Sequence, residues 1–172
     1  MNLYLRLLLT LVRARLGTAI SPLDVSRAAY RVWPHDLDLN LHMNNGRYAT
    51  LMDLGRIDLM ARAGVLARIA RARLMPVVTS QHLTYRRSLA PFERFTIETR
   101  VLGWDERNVY LEQVFVRADG EVAARGLAQT LFLKGGRRVP SDEVAGMLAM
   151  GPAMAVPDAV LSVFPGSSRA GA

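Results

Sequence analysis

The spacing of apolar residues changes period twice along the chain. Residues 2–16, NLYLRLLLTLVRARL, are apolar apart from a few polar positions that include arginines at 6, 13 and 15. The run is shorter than the ~20 residues a membrane span needs and reads as an amphipathic helix. Arg13 and Arg15 lie where a signal peptide would meet its cleavage site, which argues against one. After the Ser21-Pro22 break, Val25 to Trp33 reads as a first strand. From Asn45 to Gly64, Tyr48, Leu51, Met52, Gly55 and Leu59 recur at i, i+3, i+4 spacing, the period of a helix with one buried face. The pairs Asp58/Arg62 and Arg47/Leu51 set charge against carbon on that helix. A shorter helix, Val65 to Arg73, follows Gly64.

From Pro76 the period falls to 2. Phe95, Ile97, Thr99 and Val101 alternate with Thr96, Glu98 and Arg100, as in a half-buried strand. A turn at 105–108 leads to a strand from Val109 to Arg117. Asp119-Gly120 then marks a hairpin, since this pair tolerates the positive φ of a tight turn. The returning strand, Val122 to Lys134, carries Ala124, Gly126 and Ala128 on one face, small enough for a helix to pack close. A short helix near 143–150 and an aperiodic, mobile end complete the reading. The order predicts an α+β fold, one long helix laid on a curved antiparallel sheet. The expected organisation is an N-terminal helix over 1–20, a main domain over 21–140 and a partly mobile extension over 141–172.

Composition narrows the chemistry. A chain of 172 residues, just over half of them hydrophobic, supports one domain with a real core. The absence of cysteine excludes disulfides, a thiol nucleophile and Cys-based zinc sites. His35, His42 and His82 have no metal-ligand spacing, so no metal is expected. The net charge is +7, with Lys134 the only lysine. The arginines are scattered and no nucleic-acid-binding motif is present, so nucleic acid is not an expected partner. A basic surface suits the phosphates of coenzyme A or an acidic carrier protein. Packing on the domain is the plainer role for residues 2–16, and peripheral contact with an anionic membrane the sharper one. The expected location is the cytoplasm or the face of its inner membrane.

Residues 36–45 read DLDLNLHMNN. Taken as extended, the segment puts Asp36, Asp38, Asn40, His42 and Asn44 on one side and Leu37, Leu39, Leu41 and Met43 on the other. Asp and Asn are poor strand formers, so an ordinary edge strand explains the mixture badly. A carboxylate, carboxamides and an imidazole supply a base, orienting donors and a titratable group. Asn44-Asn45 falls where the long helix begins, suited to an N-cap, and the helix N-terminus offers N–H groups to an oxyanion.

The stretch DLDLNLHMNNGRYATLMDLGR resembles the signature of hotdog thioesterases of the 4-hydroxybenzoyl-CoA and acyl-carrier-protein types, through Asp38, Asn40, His42, Asn44, Asn45 and Tyr48. LTYRRSLAPFERF and LGWDERNVYLEQVFV are similar to the same superfamily, above all to its member-six group. The resemblance, over roughly 25–135, implies a hotdog fold, a curved antiparallel sheet wrapped around one central helix. It implies hydrolysis of an acyl-CoA or acyl-carrier-protein thioester, with no cofactor beyond coenzyme A as part of the substrate, in a homodimer or dimer of dimers. Asp38, Asn40 and His42 are then the catalytic set, with Asp38 as nucleophile or base. Asn44, Asn45 and Tyr48 form the oxyanion and substrate-binding set, with the Asn45 N–H polarising the carbonyl.

Two departures qualify the match. The acyl-carrier-protein type has a Glu after Tyr-Arg-Arg, where Ser88 follows Tyr85-Arg86-Arg87 here. Another hotdog class carries its acid on the central helix, which makes Asp53 a rival to Asp38, although pairing with Arg56 also explains Asp53. Arg86 or Arg87 is a candidate contact for CoA phosphates. His35, His82 and Trp104 read as structural or surface residues. The competing functions are a non-catalytic acyl- or lipid-binding protein at a membrane and a hotdog enoyl-CoA hydratase.

Overall fold

The computed structural model describes residues 3–151 and 154–164. In chain order it contains α1 (Leu3–Leu16), β1 (Ser26–Arg31), a single 3-10 turn (Pro34–Asp36), α2 (Asn45–Arg62), α3 (Val65–Ala72) and β2 (Met75–Tyr85). Then follow β3 (Arg94–Trp104), β4 (Val109–Arg117), β5 (Val122–Lys134), β6 (Arg137–Val139), α4 (Ser141–Leu148) and α5 (Asp158–Leu161). The strands form one antiparallel sheet in the order β1-β3-β4-β5-β2, with β6 paired to the end of β5. This is the hotdog layout, the sheet packed around the long helix α2.

The helix-period residues do what their spacing demands. Tyr48, Leu51, Met52, Gly55 and Leu59 are all buried on α2, facing the sheet. Opposite them Phe95, Ile97, Thr99 and Val101 are the buried alternate residues of β3. The small residues of β5 admit the helix: Ala124 and Ala128 are fully buried, and a Cβ on Gly126 would lie 2.5 Å from Met52 Cε. Gly55 marks a second close approach, where a Cβ would lie 2.7 Å from Gln113 Nε2 and 2.8 Å from Thr99 Oγ1. Beneath it the buried Gln113 donates to the Met52 carbonyl and to Thr99 Oγ1 and accepts from Arg56, tying α2 to β3 and β4.

Asp58 is not a solvent-facing charge. It is buried, accepts from the Ser26 hydroxyl of β1, and has Arg62 at 3.8 Å. The stretch after residue 140 also joins the core. Val144, Ala145 and Leu148 of α4 sit in the cluster with Leu59, Val101 and Phe132. Val160 and Phe164 cover Tyr110 on the other face of the sheet. Periodicity missed α5 because a four-residue helix is too short to show one. The mobile end expected from composition falls on 165–172, outside the described residues.

Helix α1 lies beside β1, at the edge of the sheet opposite β2. Arg6 donates to the Arg31 carbonyl and Arg13 to the Ala29 carbonyl, each at 3.2 Å. These arginines occupy acceptors that an edge strand otherwise leaves open.

Candidate active site

The segment between β1 and α2 is not extended. Asp38 N–H donates to the His42 carbonyl at 2.9 Å and Leu41 N–H to the Asp38 carbonyl at 3.1 Å, while Leu37 and Met43 form an isolated bridge. The chain therefore folds back on itself, with Leu41 at φ 57. The expectation of five polar side chains on one face is overturned. Asp36 is fully buried, whereas Asn40, His42 and Asn44 are exposed, as are Leu39 and Leu41 on the supposed anchoring side. The reason is local: Asp and Asn side chains bond nearby N–H groups and draw the backbone into turns instead of a ladder.

That folding positions Asp38. Its Oδ1 accepts from the backbone N–H of Asn40 at 2.9 Å and of His42 at 3.3 Å. Oδ2 has no hydrogen-bond partner among the described residues, and the residue is half-buried. Asn40 and His42 thus meet Asp38 through their main chain rather than their side chains.

The start of α2 lies just beyond. Asn44 is its N-cap, as expected, with Oδ1 accepting from Gly46 N–H at 2.8 Å. The Asn44 carbonyl accepts from Arg47 N–H at 2.9 Å. The N–H of the exposed Asn45 has no acceptor among the described residues, one of the orphan donors of a helix start. Tyr48 belongs to the core, not the surface. Its ring packs against Tyr85 and Phe115, with centroids 5.1 and 5.0 Å away. Burial pushes the Tyr48 hydroxyl up to about 12, against a smaller opposing effect of its hydrogen bond with the Leu89 backbone.

Asp36, at the start of the motif, and Arg6 and Tyr85, outside it, hold this region together. The buried Asp36 accepts from Arg6 of α1, from Trp33 N–H at 2.9 Å and from Arg47 Nε at 3.1 Å. Its carbonyl accepts from Asn44 N–H at 2.8 Å. Tyr85 on β2 donates its hydroxyl to the Asn45 carbonyl at 3.2 Å. Arg6 and Tyr85 lie far from the motif in sequence, so no spacing rule connects them to it.

The rival carboxylate is differently placed. Asp53 is paired with Arg56 on the same helix, as the i, i+3 spacing allows. Burial pulls the Arg56 guanidinium below its ordinary value, partly offset by Asp53. Both residues border an apolar cavity of about 390 Å³ between the second half of α2 and the sheet. Met60, Val65, Val101, Leu111, Phe132 and Leu148 line it. Thr130 also lines it, and its buried hydroxyl has no hydrogen-bond partner among the described residues. The first turn of α2 is about 12 Å from Asp53 along the helix axis, from the rise per residue.

Ser88 is exposed, and Arg86 and Arg87 direct their N–H groups to the Ala123 carbonyl with exposed side chains. His82 is exposed, and Trp104 is a packed strand end whose indole N–H donates to Asp142 at 2.9 Å. No cluster of potential metal ligands occurs among the described residues.

Comparison with known proteins agrees with the fold. The family model described as the thioesterase-like superfamily matches residues 32–164. Protein THEM6 of Danio rerio is 39% identical over 106 residues, covering 61% of this chain and 52% of that protein. The chain spans about half the length of the curated relatives it matches first. Among solved structures, the probable thioesterase YbaW from Escherichia coli superposes with TM-score 0.67 at 22% identity, covering 72% of this chain and 96% of that one. The BH1999 gentisyl-coenzyme A thioesterase superposes with TM-score 0.61 at 18% identity, covering 72% and 99%. At these identities the two structures speak to the fold alone.

Proposed function

This chain belongs to the thioesterase-like superfamily, and from that premise we propose that it hydrolyses the thioester of an acyl-coenzyme A or acyl-carrier protein. The observation that carries this reading is the Asp38 carboxylate, held through one oxygen by two backbone N–H groups just ahead of the unpaired Asn45 N–H. A carboxylate fixed in this way leaves its second oxygen for the reaction. Asp38 adds to the carbonyl carbon, or takes a proton from the water that does. The Asn45 N–H and the positive end of the α2 dipole stabilise the developing oxyanion. On the base route the C–S bond then breaks, the thiolate takes the proton from Asp38 and the free acid leaves. On the nucleophilic route C–S cleavage leaves a mixed anhydride with Asp38. Water hydrolyses it to the free acid and the regenerated carboxylate, its proton passing to the thiolate. Asn40 and His42 are positioning residues in this scheme, acting through their main chain. Asn44 caps the helix, and Tyr48 packs beneath its first turn.

The apolar cavity falls in the usual size range for a small-molecule site, and we assign it to the acyl group. Strand β2 supports a homodimer. It is an eleven-residue edge strand with mostly exposed or half-exposed residues, among them Met75, Val78 and Tyr85. An edge of that length is a ready template for pairing with a second copy.

The test is turnover of a panel of acyl-CoA thioesters by the wild type, Asp38→Ala and Asp53→Ala. Loss of a general base or nucleophile lowers kcat by ~10²-fold or more, so Asp38→Ala is expected to fall at least that far. Asp53→Ala is expected to stay within a few-fold of wild type. Unchanged turnover in Asp38→Ala removes Asp38 from the mechanism.

A further inference from the structure

Helix α1 packs Leu7 on the core but leaves most of its large apolar side chains exposed. Its inward stripe is Arg6, Thr10 and Ala14, spaced i, i+4, i+8 and all buried. Arg6 is paired with Asp36, and Thr10 shares a hydrogen bond with the Tyr30 hydroxyl at 3.2 Å. The outward face carries Tyr4, Leu5, Leu8, Val12 and Leu16, exposed by 76, 46, 57, 46 and 84%. A helix serving only its own domain turns its leucines inward. Here the buried ion pair fixes the rotation, so the apolar face cannot turn in without breaking it. A continuous exposed apolar face on one helix marks an interaction surface.

Charge complementarity identifies the occupant. The helix carries no acidic residue and has Arg13 and Arg15 in its last turn. Beside it, Arg13, Arg27, Arg31, Arg62 and Arg94 line a groove of about 710 Å³ between α1 and β1, with Asp58 as the only acid in its wall. Arg31 and Arg94 are directly opposite each other across the β1–β3 ladder, both exposed. Like charges in that position repel unless an anion lies over them. Arg27 is paired with Glu98 and Arg62 with Asp58, but neither Arg31 nor Arg94 has a carboxylate partner among the described residues. An apolar helix face flanked by unneutralised arginines matches the surface of an anionic bilayer, acyl region below and phosphates at the rim. The surface lies at the β1 edge, at the far end of the sheet from β2, so pairing through β2 leaves it uncovered.

We propose that α1 and the arginine groove beside it dock this protein on anionic phospholipid bilayers. The experiment is co-sedimentation of the full chain with vesicles of phosphatidylcholine alone or mixed with phosphatidylglycerol, alongside light-scattering mass measurement. Wild type is expected to pellet with the anionic vesicles, several-fold less with neutral ones and less at high salt. Leu8→Glu/Val12→Glu leaves the buried stripe intact and is expected to lower binding by roughly tenfold or more. Arg31→Gln/Arg94→Gln is expected to reduce the preference for anionic over neutral vesicles, at unchanged mass. The proposal is overturned if wild type stays in the supernatant with phosphatidylglycerol present, or if the glutamate variant binds as wild type does. It is equally overturned if the glutamate substitutions halve the molecular mass, which would give this face to a second copy.

Discussion

Arg6 of α1 and Asp36, thirty residues further along, form a buried ion pair that fastens the N-terminal helix to the loop carrying Asp38. Asp36 also bonds Arg47 and the backbone of Trp33 and Asn44, so one carboxylate joins α1, the loop and the first turn of α2.

Removing one member of a buried pair leaves the other charge uncompensated, at a cost of about 3–5 kcal/mol. Asp36→Ala is therefore expected to lower unfolding free energy by that order, measured by urea denaturation. Arg6→Leu is expected to cost less, because Arg47 still faces Asp36. A double-mutant cycle should show coupling of about 0.5–3 kcal/mol, and strict additivity would mean that the two side chains do not interact.

Helix propensity alone says that Gly55→Ala stabilises α2 by about 1 kcal/mol. The contacts reverse the sign. The new Cβ would press on Gln113 and Thr99, which are buried and bonded to each other. Overpacking of this kind costs about 1–3 kcal/mol, so a lowered Tm is expected. A raised Tm would show that the polar pair yields without loss.

Thr130→Val replaces the one buried hydroxyl that has no partner among the described residues. Removing an unpaired buried polar group while keeping the shape is expected to raise stability by about 1 kcal/mol. Destabilisation instead would show that the hydroxyl has a hydrogen-bond partner in solution.

Burial pushes the hydroxyls of Tyr30 and Tyr48 from 10.0 up to about 12. The folded state favours the neutral phenol more than the unfolded state does. Their contribution to stability is complete below pH 10 and is lost as pH rises from there through about 12. Stability measured by denaturation across that window should decline, and Tyr48→Phe should flatten the part due to that residue. Phenolate absorbance near pH 12 should fall in Tyr30→Phe and in Tyr48→Phe, each by the part due to the residue removed.

The sequence by itself determined the longer elements and the class of fold. Helical and strand periods are local properties, and the buried faces of α2 and β3 match the residues that spacing selected. The three small residues on β5 correctly announced a helix packed close. The capping role of Asn44 was legible too, because an N-cap depends on a few adjacent residues. The path of residues 36–45 was not legible from alternation. Alternating polarity implies a shared face only if the backbone is extended, and side-chain-to-backbone bonds at Asp38 turn it instead.

Tertiary structure alone decided how the surroundings of Asp36 and Asp38 differ. Two residues apart with identical chemistry, one is buried among cations and the other offers a free oxygen near a helix start. It also decided which way α1 faces. Composition showed an amphipathic helix, but the fixed partner in the loop turned its polar stripe inward. Burial and ion pairing depend on residues distant in the chain, and no local period records them.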